Sequence, residues 1–187
     1  MTTLLAGIVV FFGIHLFTST PLRSTVVGSI GDNAYKGLFS VISIIGLGLI
    51  VWGFGLSRAA PEAIDLIYTP APWGPKLTSV LTLAALIMLA ASHGKGHIRK
   101  LVKQPMSLGI GLWAIGHLIS NGQFNEVMLF GSFLAYAIYD FVLSTIKGKT
   151  PAYVAGIKGD IVAIIVGTLI FAVIFYFHAS LFGVPVI

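Results

Sequence analysis

Two histidines lie deep inside apolar stretches of this chain. His15 falls in the run from Leu4 to Thr20, on a helical face shared with Gly7, Phe11, Thr18 and Ser19. His117 falls in the run from Pro105 to Ser120, with Gly109, Trp113, Gly116 and Ser120 nearby on the helical surface. An imidazole in hydrocarbon costs free energy unless it is hydrogen-bonded, paired or coordinated, so both need partners inside the protein. His93 and His97 are four apart and share a face only if the third apolar run stays helical through Gly94 and Gly96.

Neutral imidazole is a ligand for zinc, copper, iron and haem iron. A closed zinc site takes four protein ligands and a catalytic one three plus water. The chain has no cysteine, and its carboxylates sit at the ends of the apolar runs: Asp32, Asp140 and Asp160 toward one side, Glu62, Asp65 and Glu126 toward the other. Haem asks less, one or two histidines and an apolar slot, and its propionates suit a basic edge containing Arg23, Lys95, Arg99 or Lys103. At 1.5 Å per residue, His15 is roughly 8 Å from the inner end of its helix and His117 roughly 18 Å. His93 matches the depth of His15 better, so the second axial ligand is open between His117 and His93. A purely structural role, with the imidazoles hydrogen-bonded between helices, stands beside the haem reading. Asp140, in line with Ser132 and Tyr136, is expected to pair with a basic residue or histidine, the alternative being a proton-handling carboxyl. His178 reads as interfacial.

The elements that hold these residues are membrane helices. With 57% hydrophobic residues, 9% charged residues and a mean hydropathy of +0.99, the chain has too little polar surface for a water-soluble core. The fold expected is all-α, a polytopic transmembrane helix bundle forming a single domain over residues 1–187. Six apolar segments can be delimited: Leu4 to Thr20, Gly37 to Ser57, Lys76 to Ala91 or on to His97, Pro105 to Ser120, Val127 to Thr145, and Gly159 to Ser180. A hydrocarbon core of about 30 Å needs roughly 20 residues, so the first and fourth are short. The competing count is five spans with the fourth re-entrant. With six, Arg23, Lys36, Lys95, Arg99, Lys100, Lys103, Lys147, Lys149 and Lys158 fall on one side and only Arg58 and Lys76 on the other. That asymmetry puts the first side in the cytoplasm and both termini outside. The net charge of +5 is thereby explained by topology, and nucleic acid is not an expected partner. The opening residues lack the basic region and cleavage site of a signal peptide. Thr20-Pro21 should end the first helix. Ser43, Gly46, Gly53 and Ser57 form a small-residue face suited to close packing. The outer loop carries Pro61, Pro70, Pro72 and Pro75 around Tyr68 and Trp73, and Lys147 to Pro151 makes a basic turn with no phosphate-loop context.

The stretch His15-Leu-Phe-Thr-Ser19-Thr-Pro-Leu-Arg23, then Tyr35-Lys-Gly37, Ser40 and Trp52-Gly-Phe, resembles the opening of the NnrU family of bacterial membrane proteins. Trp113-Ala-Ile-Gly-His117-Leu-Ile-Ser-Asn121-Gly122 resembles its second motif. The resemblance implies a place in the bacterial inner membrane and an association with nitrite and nitric oxide reduction in denitrifying bacteria. The family is also similar to the fifteen-cis-zeta-carotene isomerases, which use haem b with histidine ligation. It therefore implies haem b held by His15 and His117, with a polyene or a nitrogen-oxide reductase system as partner beside the lipid bilayer. One departure is visible: relatives carry Arg-His-Pro where this chain has Lys103-Gln104-Pro105, and a glutamine cannot replace an imidazole in acid-base or iron chemistry. Two classes stand: a haem protein for redox-linked cis-trans isomerisation or nitrogen-oxide metabolism, and a non-catalytic accessory or assembly protein. A transporter ranks behind both, since the two halves show no repeat.

Overall fold

A computed structural model describes residues 1–148, 150–184 and 186. The basic turn expected at Lys147 to Pro151 includes Lys149, which lies outside the described residues. The helices in chain order are α1 (Thr2–Phe17), α2 (Leu22–Ile30), α3 (Asp32–Ser57), α4 (Gly74–Ala91), α5 (His97–Val102), α6 (Pro105–Ser120), α7 (Phe124–Ile146) and α8 (Ile157–Phe182), with a 3-10 turn at Pro61–Ala63. Among the described residues, α3, α4, α7 and α8 are long and apolar enough to cross a membrane, and α1 with α2 makes a fifth span if that bent pair is counted as one. The protein is a multi-pass, all-α membrane protein. The expected count of six does not follow from helix length: α1 and α6 have 16 residues each, about 24 Å of helix against about 30 Å of hydrocarbon.

The chain forms two compact units. The first comprises Met1–Ile67 and Gln123–Leu129. Here α1 runs antiparallel to α3 with backbones almost touching. A Cβ on Gly46 would stand 2.7 Å from the Phe11 nitrogen, and one on Gly7 2.5 Å from the Ile50 nitrogen. Gly53 meets Leu4 in the same way, its Cβ falling 2.6 Å from the Leu4 Cα. Glycine is needed because the neighbour is main chain, which cannot swing away. The small-residue face read from sequence is thus the α1 contact, and its last member, Ser57, is fully buried. Its hydroxyl accepts from the Asn125 side-chain amide at 2.9 Å, and Asn125 is itself fully buried.

Helix α1 stops at Phe17, three residues before the expected Thr20, because hydroxyls compete for its last carbonyls. Thr18 donates to the His15 oxygen at 2.7 Å and Thr20 to the Phe17 oxygen at 2.8 Å. Pro21, with no N–H to give, then opens α2, which leaves at 85° to α1. The basic residues of this stretch are both helical: Arg23 is on α2, and Lys36 is in α3, paired with Asp32 at 2.6 Å on an exposed surface. Gly31 joins the two helices at φ 83°, a backbone state that a side chain would disfavour.

The second unit comprises Tyr68–Gly122 and Phe130–Ile187. Helix α4 packs against both α6 and α8. Its contact with α6 includes Thr78, whose hydroxyl lies 2.5 Å from the Gly116 oxygen and 2.5 Å from the Ser120 hydroxyl. Helix α4 ends at Ala91. Ser92 bonds back to the Leu89 oxygen, and Gly96 is extended, so the helix does not pass through Gly94 to His97. The following short helix α5 is anchored by Asp160 of α8, whose carboxylate accepts the His97 and Ile98 backbone amides at 2.9 and 2.8 Å and the His97 ring at 2.8 Å. Tyr153 adds a bond to the Gly96 oxygen at 2.7 Å. Replacing Asp160 by Ala removes three acceptor contacts at once. Amide hydrogen exchange across residues 97–102 is expected to accelerate several-fold while α6 stays protected; unchanged exchange would mean that Tyr153 alone holds α5.

Candidate functional site

Each deep histidine is locked by its own helix. In α1, His15 Nδ1 bonds the Phe11 oxygen four residues earlier at 2.6 Å. In α6, His117 Nδ1 bonds the Trp113 oxygen, again four residues earlier, at 2.9 Å. A carbonyl only accepts, so Nδ1 must carry the proton, which makes Nε2 the basic, lone-pair nitrogen in both rings. This is the arrangement that prepares a histidine to bind a metal: the second hydrogen bond fixes tautomer and ring orientation.

Aromatic rings hold the imidazoles from the side. His15 lies 4.3 Å from the Phe11 ring and 5.0 Å from Phe39 of α3. His117 stacks on Phe130 at 4.6 Å with a 30° interplanar angle and lies 5.0 Å from Trp113, which itself meets Phe130 and Phe133 edge-on. The spacing of Trp113, His117, Asn121 and Gly122 now has a physical account. Trp113 provides both a ring and the carbonyl, and Asn121 ends the helix by returning its backbone and side-chain N–H groups to the His117 oxygen at 2.8 Å each. Tyr68 caps the same helix end through the Leu118 and Asn121 oxygens. Gly122 leaves room for the Tyr68 main chain, which any Cβ would strike.

Arg23, exposed on α2, holds its guanidinium 5.3 Å from the centroid of the Tyr35 ring. Tyr35 is 5% exposed, and its hydroxyl has no hydrogen-bond partner among the described residues. His93 lies in the turn after α4, exposed, with Nδ1 2.9 Å from the Ser92 hydroxyl. Within the second unit His93 and His117 do not come together. Gly116 packs against Thr78 at the start of α4, whereas His93 follows its end, so about 20 Å of helix separates them. His93 and His97 share no helical face, because α4 has already ended. Asp140 is met by the Ser107 hydroxyl of α6, and the base expected from sequence is not paired with it among the described residues. His178 Nδ1 donates to the Val184 oxygen at 2.7 Å. No cluster of three or more His, Asp or Glu suited to a metal ion occurs among the described residues.

The family comparison turns on the whole chain. The model of the NnrU protein family matches residues 3–186. The chain belongs to the NnrU family. No curated protein and no solved structure matches it. Family membership gives the two histidine segments their setting: both lie within the NnrU match, as do Arg23, Tyr35 and the Trp113 to Gly122 segment.

Sequence reasoning missed Tyr35, Asn125, Ser107 and Asp160 as partners. A tyrosine between an arginine and an apolar run was the available signal for the first. The others pair with residues at least 33 positions away, and no local spacing reports that.

Proposed function

We propose that this NnrU-family membrane protein binds haem b, with His15 and His117 each a candidate iron ligand through Nε2. The observation that carries this reading is the shared lock, Nδ1 on the carbonyl four residues back, which leaves the same nitrogen basic in both rings. The residues present fit such a group in donor chemistry: each is an imidazole on an apolar helix, His15 beside Phe11 and Phe39 in the first unit and His117 beside Trp113 and Phe130 in the second. Arg23 with the buried Tyr35 hydroxyl provides a cation and an unspent donor suited to a haem carboxylate. A bound haem supplies one-electron redox chemistry and an exchangeable coordination position. The protein's own part is to fix the ligand tautomers, exclude water and present aromatic walls.

Two roles follow. The resemblance of the family to the fifteen-cis-zeta-carotene isomerases suggests redox-linked cis-trans isomerisation of a hydrophobic polyene, and the family association suggests support of a nitrogen-oxide reductase system. Gln104 does not weaken ligation by His117, because it precedes the first turn of α6, about 20 Å along the helix from that imidazole. We infer a bacterial inner-membrane location, with the end of the second unit that carries Lys95, Arg99, Lys100, Lys103 and Lys158 in the cytoplasm.

The test is a reduced-minus-oxidised optical spectrum of protein purified in detergent from haem-replete cells. A Soret band that shifts on reduction is expected. Its absence would leave the accessory role, with the imidazoles held by their own helices and neighbouring rings. Expression in cells accumulating poly-cis zeta-carotene tests the isomerase role separately, and unchanged carotenoid would reject it.

A further inference from the structure

A groove of about 330 Å³ opens where α4 ends and α8 begins, lined by Ala90, Val162 and Ala163 on its apolar side and by His93, Lys158 and Gly159 on its polar side. The helix ends that frame it carry the chain from apolar span to basic turn, so the groove sits where hydrocarbon gives way to headgroups. The small residues there let α8 approach closely: a Cβ on Gly159 would stand 2.5 Å from the Gly96 nitrogen. We propose that this groove binds one anionic phospholipid whose headgroup also carries a hydroxyl, of the phosphatidylglycerol class.

Charge complementarity and hydrogen-bond inventory select that occupant. Lys158 is exposed, and the nearest carboxylate on its helix, Asp160, is committed to two α5 amides and the His97 ring, which leaves the ammonium without that counter-charge. Arg99 is likewise occupied, donating to the Gly94 oxygen at 3.1 Å and lying over Tyr153. Lys158 is therefore the cation for a phosphate. His93 contributes an acceptor. The Ser92 hydroxyl spends its proton on the Leu89 oxygen at 2.6 Å, so it accepts from His93 Nδ1–H, and Nε2 retains its lone pair. That nitrogen takes a hydrogen bond from a headgroup hydroxyl, which phosphatidylcholine lacks. Ala90, Val162 and Ala163 offer the acyl chain an apolar floor. Leu101 and Val154, 84% and 92% exposed in the same unit, are side chains that an aqueous surface would not favour and a lipid surface would.

The experiment measures thermal stabilisation and native mass spectra of the detergent-purified protein with added phosphatidylglycerol, phosphatidic acid, phosphatidylcholine or inorganic phosphate. Phosphatidylglycerol is expected to bind most tightly. Lys158→Gln should weaken it about fivefold, and His93→Phe should remove its advantage over phosphatidic acid while leaving helix content unchanged. Equal binding of phosphatidylcholine, no effect of Lys158→Gln, or equal protection by inorganic phosphate would each overturn the proposal. Lys158→Gln is expected to leave any haem spectrum intact, so failure here and failure of the haem reading are separable.

Discussion

Gly46→Val is expected to destabilise the first unit by about 3 kcal/mol or more, near the upper end of what overpacking costs. The added side chain would begin 2.7 Å from the Phe11 nitrogen and 2.8 Å from its Cα, so relief requires α1 to move away from α3 as a body. His15 would move with it, since Phe11 supplies its carbonyl and Phe39 of α3 its second ring. Gly48→Val is the matched control. It lies on the same helix two residues on, with nothing within 4 Å of the position a Cβ would take, and its effect should stay within about 0.5 kcal/mol. Unfolding in mixed detergent, followed by circular dichroism, compares the two directly. Equal stability of both variants would show that the close α1–α3 approach is not maintained in the folded protein.

His117→Ala is expected to lower haem content per protein by about tenfold or more, and His15→Ala likewise, since loss of a ligand should cost at least as much as loss of a supporting hydrogen-bond partner. Absorbance at the Soret maximum against protein concentration gives the measurement. Glycine variants add a readout that a structural role would not move: imidazole supplied in solution should restore the band to His117→Gly and not to His93→Gly, because only the former has lost a proposed ligand. His178→Ala should leave the spectrum unchanged, its ring nitrogen being held by the Val184 oxygen. A wild-type Soret band in both His15→Ala and His117→Ala would reject these two residues as ligands while leaving the fold intact.

Much of the site's local chemistry is legible in the amino-acid sequence alone. That Phe11 shares a face with His15 and Trp113 with His117 follows from spacing inside an apolar run, whereas the bond from each ring nitrogen to the carbonyl four residues back is supplied by the structure. Helix α6 begins and ends where the sequence places it, since Pro105 is a favoured opening residue and Asn121 closes the last turn. The third apolar run is legible only to Ala91. Whether it crosses Gly94 and Gly96 depends on Asp160, more than 60 residues away, which stabilises a separate helix starting at His97.

By itself the sequence determined that this protein resides in a membrane, where its helices centre, and which residues share a helical face with each deep histidine. Those properties arise from composition and from periodicities of a few residues. Tertiary structure decided why Gly7, Gly46 and Gly53 must be glycine, which hydroxyl meets Asp140, how Asp160 holds α5, and that Arg23 lies over the Tyr35 ring while the Tyr35 hydroxyl is buried without a hydrogen-bond partner among the described residues. The reason is physical: a close backbone approach or a buried polar contact depends on the surface that arrives opposite, and that surface comes from a distant part of the chain.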